Sequence, residues 1–147
     1  MPILLKDIWP IENPDEYKIH FASRNYGVRQ HPLDMWMGSK ERWKVLQEHS
    51  SRNDFNQPYI FSLMQFYHET DIWLFGGVFT VMKRKHHYSD VYNYYTYEFE
   101  LSDFGKEFIG RLKIRSSLAI QGNRRVRMMP HYHRFEVHEI LQEPYCI

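Results

Sequence analysis

Cysteine is nearly missing from this chain of 147 residues, and the one present, Cys146, sits next to the C-terminus. A single thiol can neither close an internal disulfide nor build a multi-thiolate metal site, so both are excluded as sources of stability. The expected setting is a reducing cytoplasm. Long apolar runs are also missing. Nothing approaches the roughly 18 consecutive apolar residues of a membrane helix, and MPILLKDIWP is charged too early for a signal peptide. No Ser-His-Asp, Walker or dinucleotide pattern occurs, and GGVF at 76–79 has no lysine after it that would make a phosphate loop. There is no repeat, low-complexity tract or linker either. Residues 1–147 are therefore expected to form a single domain, long enough to bury one core unaided.

Aromatic side chains are plentiful. Tyr59, Phe61, Phe66, Tyr67, Trp73, Phe75 and Phe79 crowd into PYIFSLMQFYHETDIWLFGGVFTV, residues 58–81, around the pair Gly76 and Gly77. Two glycines inside a strand forfeit side-chain packing, so they mark a bulge or barrel corner, or else the close approach of a ligand. Alternation assigns Phe61, Leu63, Phe75, Val78 and Phe79 to a core. Trp36, Trp43, Tyr67 and Trp73 fall in or beside loops, where a ring either covers a core edge or lines a slot.

Periodicity is mostly that of strands. YKIHFASR (17–24) alternates Tyr17, Ile19 and Phe21 with Lys18 and His20, which predicts a half-buried strand ending in the polar turn RNYGVRQHP. From Ser39, a candidate N-cap, SKERWKVLQEHS changes to helical spacing. YIFSLMQFY and WLFGGVFTVMKR, separated by HETDI, predict a hairpin, and YNYYTYEFEL, FIGRLKIRS and RFEVHEIL add further strands. The expectation is an α+β fold with a mostly antiparallel, strongly curved sheet, approaching a pseudo-barrel, and one or two short helices.

Charge is uneven along the chain. Residues 83–134 carry 11 Lys/Arg against 5 Asp/Glu, whereas residues 1–82 carry 8 against 10. Such a basic region is what phosphate backbones select, and also what keeps a sheet soluble. In GRLKIRS, Arg111, Lys113 and Arg115 share one face of a strand; GNRRVR adds Arg124, Arg125 and Arg127 in a predicted loop, and KRKHH (83–87) is a third cluster. The first row either meets phosphates or pairs across the sheet with Glu98 and Glu100. The loop arginines favour phosphate contact.

Catalytic signals are weak. HYH places His131 and His133 on one side of a predicted extended segment, with His86, His87 or His138 as further imidazoles, while Asp54, Glu69 and Asp71 offer carboxylates. Nothing in the spacing fixes a site, so no metal and no cofactor are expected.

QHPLD (30–34), ERW (41–43), DFNQPYIFSLMQFYHETDIWLFGGVFTV (54–81) and EFIGRLKIR (107–115), in that order, resemble the N-terminal region of bacterial GIY-YIG nuclease family proteins across residues 17–143. The resemblance implies a DNA-recognition module preceding a nuclease domain. This chain has no GIY and YIG strand pair with the accompanying catalytic Arg and Glu, so cleavage is not carried over. It reads as an excised recognition domain or as a stand-alone relative.

The expected architecture is also similar to PUA-like pseudo-barrels, some of which hold an extruded modified base. By that analogy Trp36, Trp43 and Trp73 would sandwich the base, and Asn25, Asp54, Ser62 and Gln65 would read its edge. DNA, modified or not, is the expected partner, together with a nuclease domain or subunit. The alternatives are a metal-dependent nuclease or hydrolase using Asp54, Glu69, Asp71 or the histidines, and a protein-interaction or dimerisation domain.

Overall fold

β-branched and aromatic residues fill seven extended segments, and all seven join one sheet. These are β1 (Tyr17–Ala22), β2 (Tyr59–Gln65), β3 (Ile72–Tyr88), β4 (Asn93–Leu101), β5 (Leu112–Arg115), β6 (Val126–Met128) and β7 (Glu136–Ile140). The structure, a computed structural model, describes residues 2–22, 31–48, 55–67, 69–116 and 126–146. The strand order is β6-β1-β2-β3-β5-β7, with β4 also on β3. Among the described residues every strand pairing is antiparallel except that of β1 with β2.

The 17 residues of β3 organise the rest. One edge pairs with β2 from Trp73 to Thr80, as the predicted hairpin requires. The other edge takes β5 at Ile72 to Leu74 and β4 from Phe79 onward. Between those two partners, Ser102 and Gly110 donate their N–H groups to the carbonyls of Val78 and Phe75, so the edge of β3 stays satisfied. Ser62 lies opposite Gly77 and Leu63 opposite Phe75, which leaves Gly76 as the extra residue of a β-bulge. The glycine pair therefore has the backbone meaning expected of it.

Among the described residues there are three α-helices: α1 (Leu5–Ile8), α2 (Pro32–Gly38) and α3 (Lys40–Glu48). α3 begins as predicted, with the Ser39 hydroxyl accepting the N–H of Arg42. α2 begins at the last residue of the predicted turn, Pro32, and covers residues to which the sequence assigns no element. Its start is built from Pro32 in the first turn and His31, whose Nδ1 accepts the N–H of Leu33.

The sheet carries a separate apolar cluster on each face. α1 and the 3₁₀ segment Met129–Arg134 cover one face, over Ile19, Phe21, Phe61, Leu63, Trp73, Phe75, Leu112 and Ile114. α2 and α3 cover the other, over Ile60, Met64, Leu74, Phe79, Tyr97 and Phe99. Two covered faces explain the near-continuous apolar runs of β2 and β3, since alternation is lost when neither side meets water. They also correct the half-buried reading of β1: His20 is buried, 3.2 Å from Gln47 Oε1 and edge-on to Phe55.

The sheet is open. Its ends are β6 and β7, and closure into a barrel is not seen, because each face packs on its own helical layer rather than around a shared interior. Among the described residues no helix is long and apolar enough to cross a membrane.

Candidate nucleic-acid interface

Arg111, Lys113 and Arg115 do share a face, because Leu112 and Ile114 between them are buried. Each cation is engaged locally. The Arg111 guanidinium donates to the carbonyls of Leu141 and Glu107 at 2.9 and 2.7 Å. Lys113 Nζ is 3.4 Å from Glu139 and 4.0 Å above the Phe66 ring, with a side chain only 13% exposed. Arg115 lies 3.6 Å from Asp71 and donates to His138 Nδ1. The counter-charges are thus Glu139 and Asp71, not Glu98 and Glu100, because β5 sits between β3 and β7 rather than beside β4. Arg127 lies in β6, a strand rather than the predicted loop, and β1, β2 and β3 separate it from β5. Arg124 and Arg125 lie outside the described residues.

The rings expected to cage a base are not brought together. Trp36 and Trp43 are buried in the cluster under α2 and α3, while Trp73 is buried on the opposite face with its indole N–H on the Ser116 carbonyl. Trp43 and Gln47, four residues apart on α3, both face the sheet. There the Ser62 hydroxyl donates to Gln47 Oε1 at 2.6 Å, which makes Ser62 part of helix docking. Gln65 donates to the carbonyl of Glu69. Asn25 and Asp54 lie outside the described residues. Tyr67 donates to Asp34 beside the His31 ring, and burial, followed by that carboxylate, pushes its phenol above the usual range.

The imidazole and carboxylate groupings that the alternative, metal-dependent reading would need do not form among the described residues. The HYH segment is 3₁₀ rather than extended. Among the described residues no three His, Cys, Asp or Glu side chains come together in a way that could hold a metal ion.

The third basic cluster is placed differently. Beyond Val81 the strands β3 and β4 leave the sheet as a two-stranded arm, with a second bulge at Met82. Lys83 to Tyr88 run antiparallel to Asn93 to Glu98, and cross-strand partners share a face. On one face, Arg84 lies 4.5 Å above the Tyr95 ring, and His86 stacks on the same ring, also 4.5 Å away, while contacting Asn93. On the other, His87 stacks on Tyr94 and shares a hydrogen bond with Thr96, while Lys83 is 3.8 Å from Glu98. Lys85 points from this face into solvent.

The arm is anchored in the core. Tyr95, Tyr97 and Phe99 form a ladder of stacked rings that ends against Phe79. The outer edge of β4 is closed by α3, with Glu48 accepting the N–H of Phe99 and Lys44 donating to its carbonyl. At the root lies an open cleft of about 300 Å³ lined by Phe55, Asn56, Gln57, Pro58, Val81, Met82, Lys83 and Arg84. The tyrosines of YNYYTY are the functional candidates that sequence reasoning missed. Their signal was there, in a tyrosine-rich run able to pair with KRKHHY, but it depends on the register. No family model, curated protein or solved structure matches the chain.

Proposed function

We propose that the chain is a DNA-recognition module and that the β3–β4 arm is its principal contact. One observation carries the reading: Lys83, Arg84 and Lys85 are held on a projecting ribbon whose opposite strand is lined with tyrosines. A two-stranded ribbon fits the major groove of B-DNA, about 12 Å wide. Alternation directs Lys83 and Lys85 to one wall and Arg84 to the other, so phosphates of both strands can be met. The row on β5 is a weaker candidate, since Lys113 is mostly covered between Glu139 and Phe66 and Arg111 is held on two backbone carbonyls, whereas Lys83 stays exposed beside Glu98. Arg124, Arg125 and Arg127 remain in the proposal as a second phosphate contact.

Asn56, Gln57 and Arg84 all line the cleft at the root, a donor and acceptor set suited to a base edge, including one that carries a modification. It takes over the role expected of the three tryptophans, whose rings cannot stack a base without opening the core. On this reading the partner that cuts is a GIY-YIG nuclease, and the compartment is the cytoplasm.

The test is DNA affinity as a function of salt, for the parent and for a variant carrying Lys83→Gln, Arg84→Gln and Lys85→Gln. Each phosphate that is no longer neutralised should flatten the log–log slope by about 0.9. An Arg111→Gln, Lys113→Gln variant should keep the parent slope. Absence of duplex binding by the parent, or an unchanged slope in the arm variant, overturns the proposal.

A further inference from the structure

We infer that the tip of the arm is a wedge that inserts between the stacked bases of a DNA duplex. This rests on the reading of the arm as a DNA contact and goes beyond it, because it assigns the module a structural preference: duplex that is already weakened or easily unstacked.

The tip is apolar where a solvated turn would be polar. Tyr88 is 76% exposed, Val91 86% and Tyr92 58%. These three exposed side chains stand at the apex of a ribbon that is otherwise cationic and aromatic, Tyr88 beside His86 on one face and Tyr92 beside Tyr94 on the other, and none belongs to either buried cluster. The turn that carries them is set in advance. Ser89 donates its N–H to the Tyr92 carbonyl, and its hydroxyl accepts the N–H groups of both Val91 and Tyr92 at 3.1 Å. Little ordering is then left to be done on binding. Ring contacts from Tyr88 to His86 and from Tyr92 to Tyr94, both 5.8 Å, tie the apex to the stacked pairs of the shaft.

Charge selects the occupant. Along the arm the basic side chains lie on the shaft, at Lys83, Arg84 and Lys85, and the apex carries Asp90 instead. A carboxylate at the leading end disfavours phosphates and a lipid interior alike, but it can accept from the exocyclic amines of bases in a groove. Phosphate contact then belongs to the shaft and unstacking of bases to the tip. Apolar side chains inserted between base steps unstack and kink the duplex at a cost that is lowest where pairing is already broken.

The test compares the whole parent chain with a Val91→Ser, Tyr92→Ser variant, both positions being exposed enough to leave the fold intact, as thermal melting would confirm. Binding is measured to a matched duplex and to one with a central mismatch, each carrying a fluorescent purine analogue whose emission rises on unstacking. The parent should raise that emission and prefer the mismatched duplex by roughly 5- to 150-fold, the range for stacking one base on one ring. The tip variant should lose both the emission change and the preference for the mismatched duplex. If the parent binds without unstacking, or the tip variant keeps the preference, the wedge is refuted while the DNA reading stands. If instead the tip substitutions only convert a dimer into a monomer in sedimentation, the tip is a self-association contact and the inference fails. If the parent binds no DNA, both readings fall together.

Discussion

Gly76 and Gly77 are adjacent, but they should respond very differently to the same substitution. At Gly77 the backbone φ is 117°, and a Cβ would lie 2.9 Å from Leu101 Cδ1 and 3.3 Å from Ile109 Cδ1. Holding a non-glycine residue in such a region costs about 1–3 kcal/mol. Forcing extra volume into a packed site costs about 1–3 kcal/mol more. Leu101 is partly exposed and can yield, so the lower half of the combined range, about 2–4 kcal/mol, is expected for Gly77→Ala. At Gly76 the nearest atom to a Cβ is Met64 Cε at 3.1 Å, the end of a flexible thioether, so Gly76→Ala should cost about 1 kcal/mol or less. For a domain of this size 1 kcal/mol moves Tm by about 3 °C, giving drops of roughly 6–12 °C against about 3 °C or less. Thermal unfolding followed by circular dichroism, with both variants in one buffer, measures the difference. Equal melting of the two variants, or a Gly77→Ala protein as stable as the parent, would refute the argument from backbone conformation.

Burial, with smaller contributions from Tyr59 and Glu16, raises the Tyr17 phenol to about 12. Between about pH 10 and 12 the unfolded chain loses this proton while the folded chain keeps it, so stability should fall across that window. Denaturant midpoints should decline there for the parent and less for Tyr17→Phe; a flat profile in both would show that the phenol is solvated. Trp43→Ala and Trp73→Ala should each destabilise by about 3–5 kcal/mol because both rings are buried, and any loss of DNA binding should track unfolding. A Trp73→Ala protein that melts like the parent yet loses binding would restore that ring to a base-binding role.

The hairpin of β2 and β3, the bulge at the glycine pair and the cap of α3 were legible because each depends on local chemistry. Period, glycine conformation and a hydroxyl at Ser39 act over a few residues. α2 was not legible, since its first turn is set by His31 and Pro32 rather than by a Ser, Thr, Asp or Asn cap. The tryptophans misled for a different reason. Whether a ring near an element's end meets solvent depends on whether both faces of the sheet are covered, and that is decided by α1 and the 3₁₀ segment Met129–Arg134 on one side and α2 and α3 on the other. The arm was half visible. KRKHH stood out as charge, but the alignment of its histidines with Tyr94 and Tyr95 depends on a one-residue slip at Met82, which no sequence period encodes.

Because β3 runs unbroken from the sheet into the arm, and the Tyr95–Tyr97–Phe99 ladder continues inward to Phe79, the arm behaves as a cantilever clamped at its root. At roughly 3.3 Å of rise per residue its end stands about 20 Å from that clamp, so a tilt of about ten degrees at the root sweeps the end through about 3.5 Å. The clamp includes Glu48 and Lys44 of α3, which hold both backbone groups of Phe99. Substitutions there need touch nothing at the far end to change where it points, so aim and grip can vary independently in this molecule.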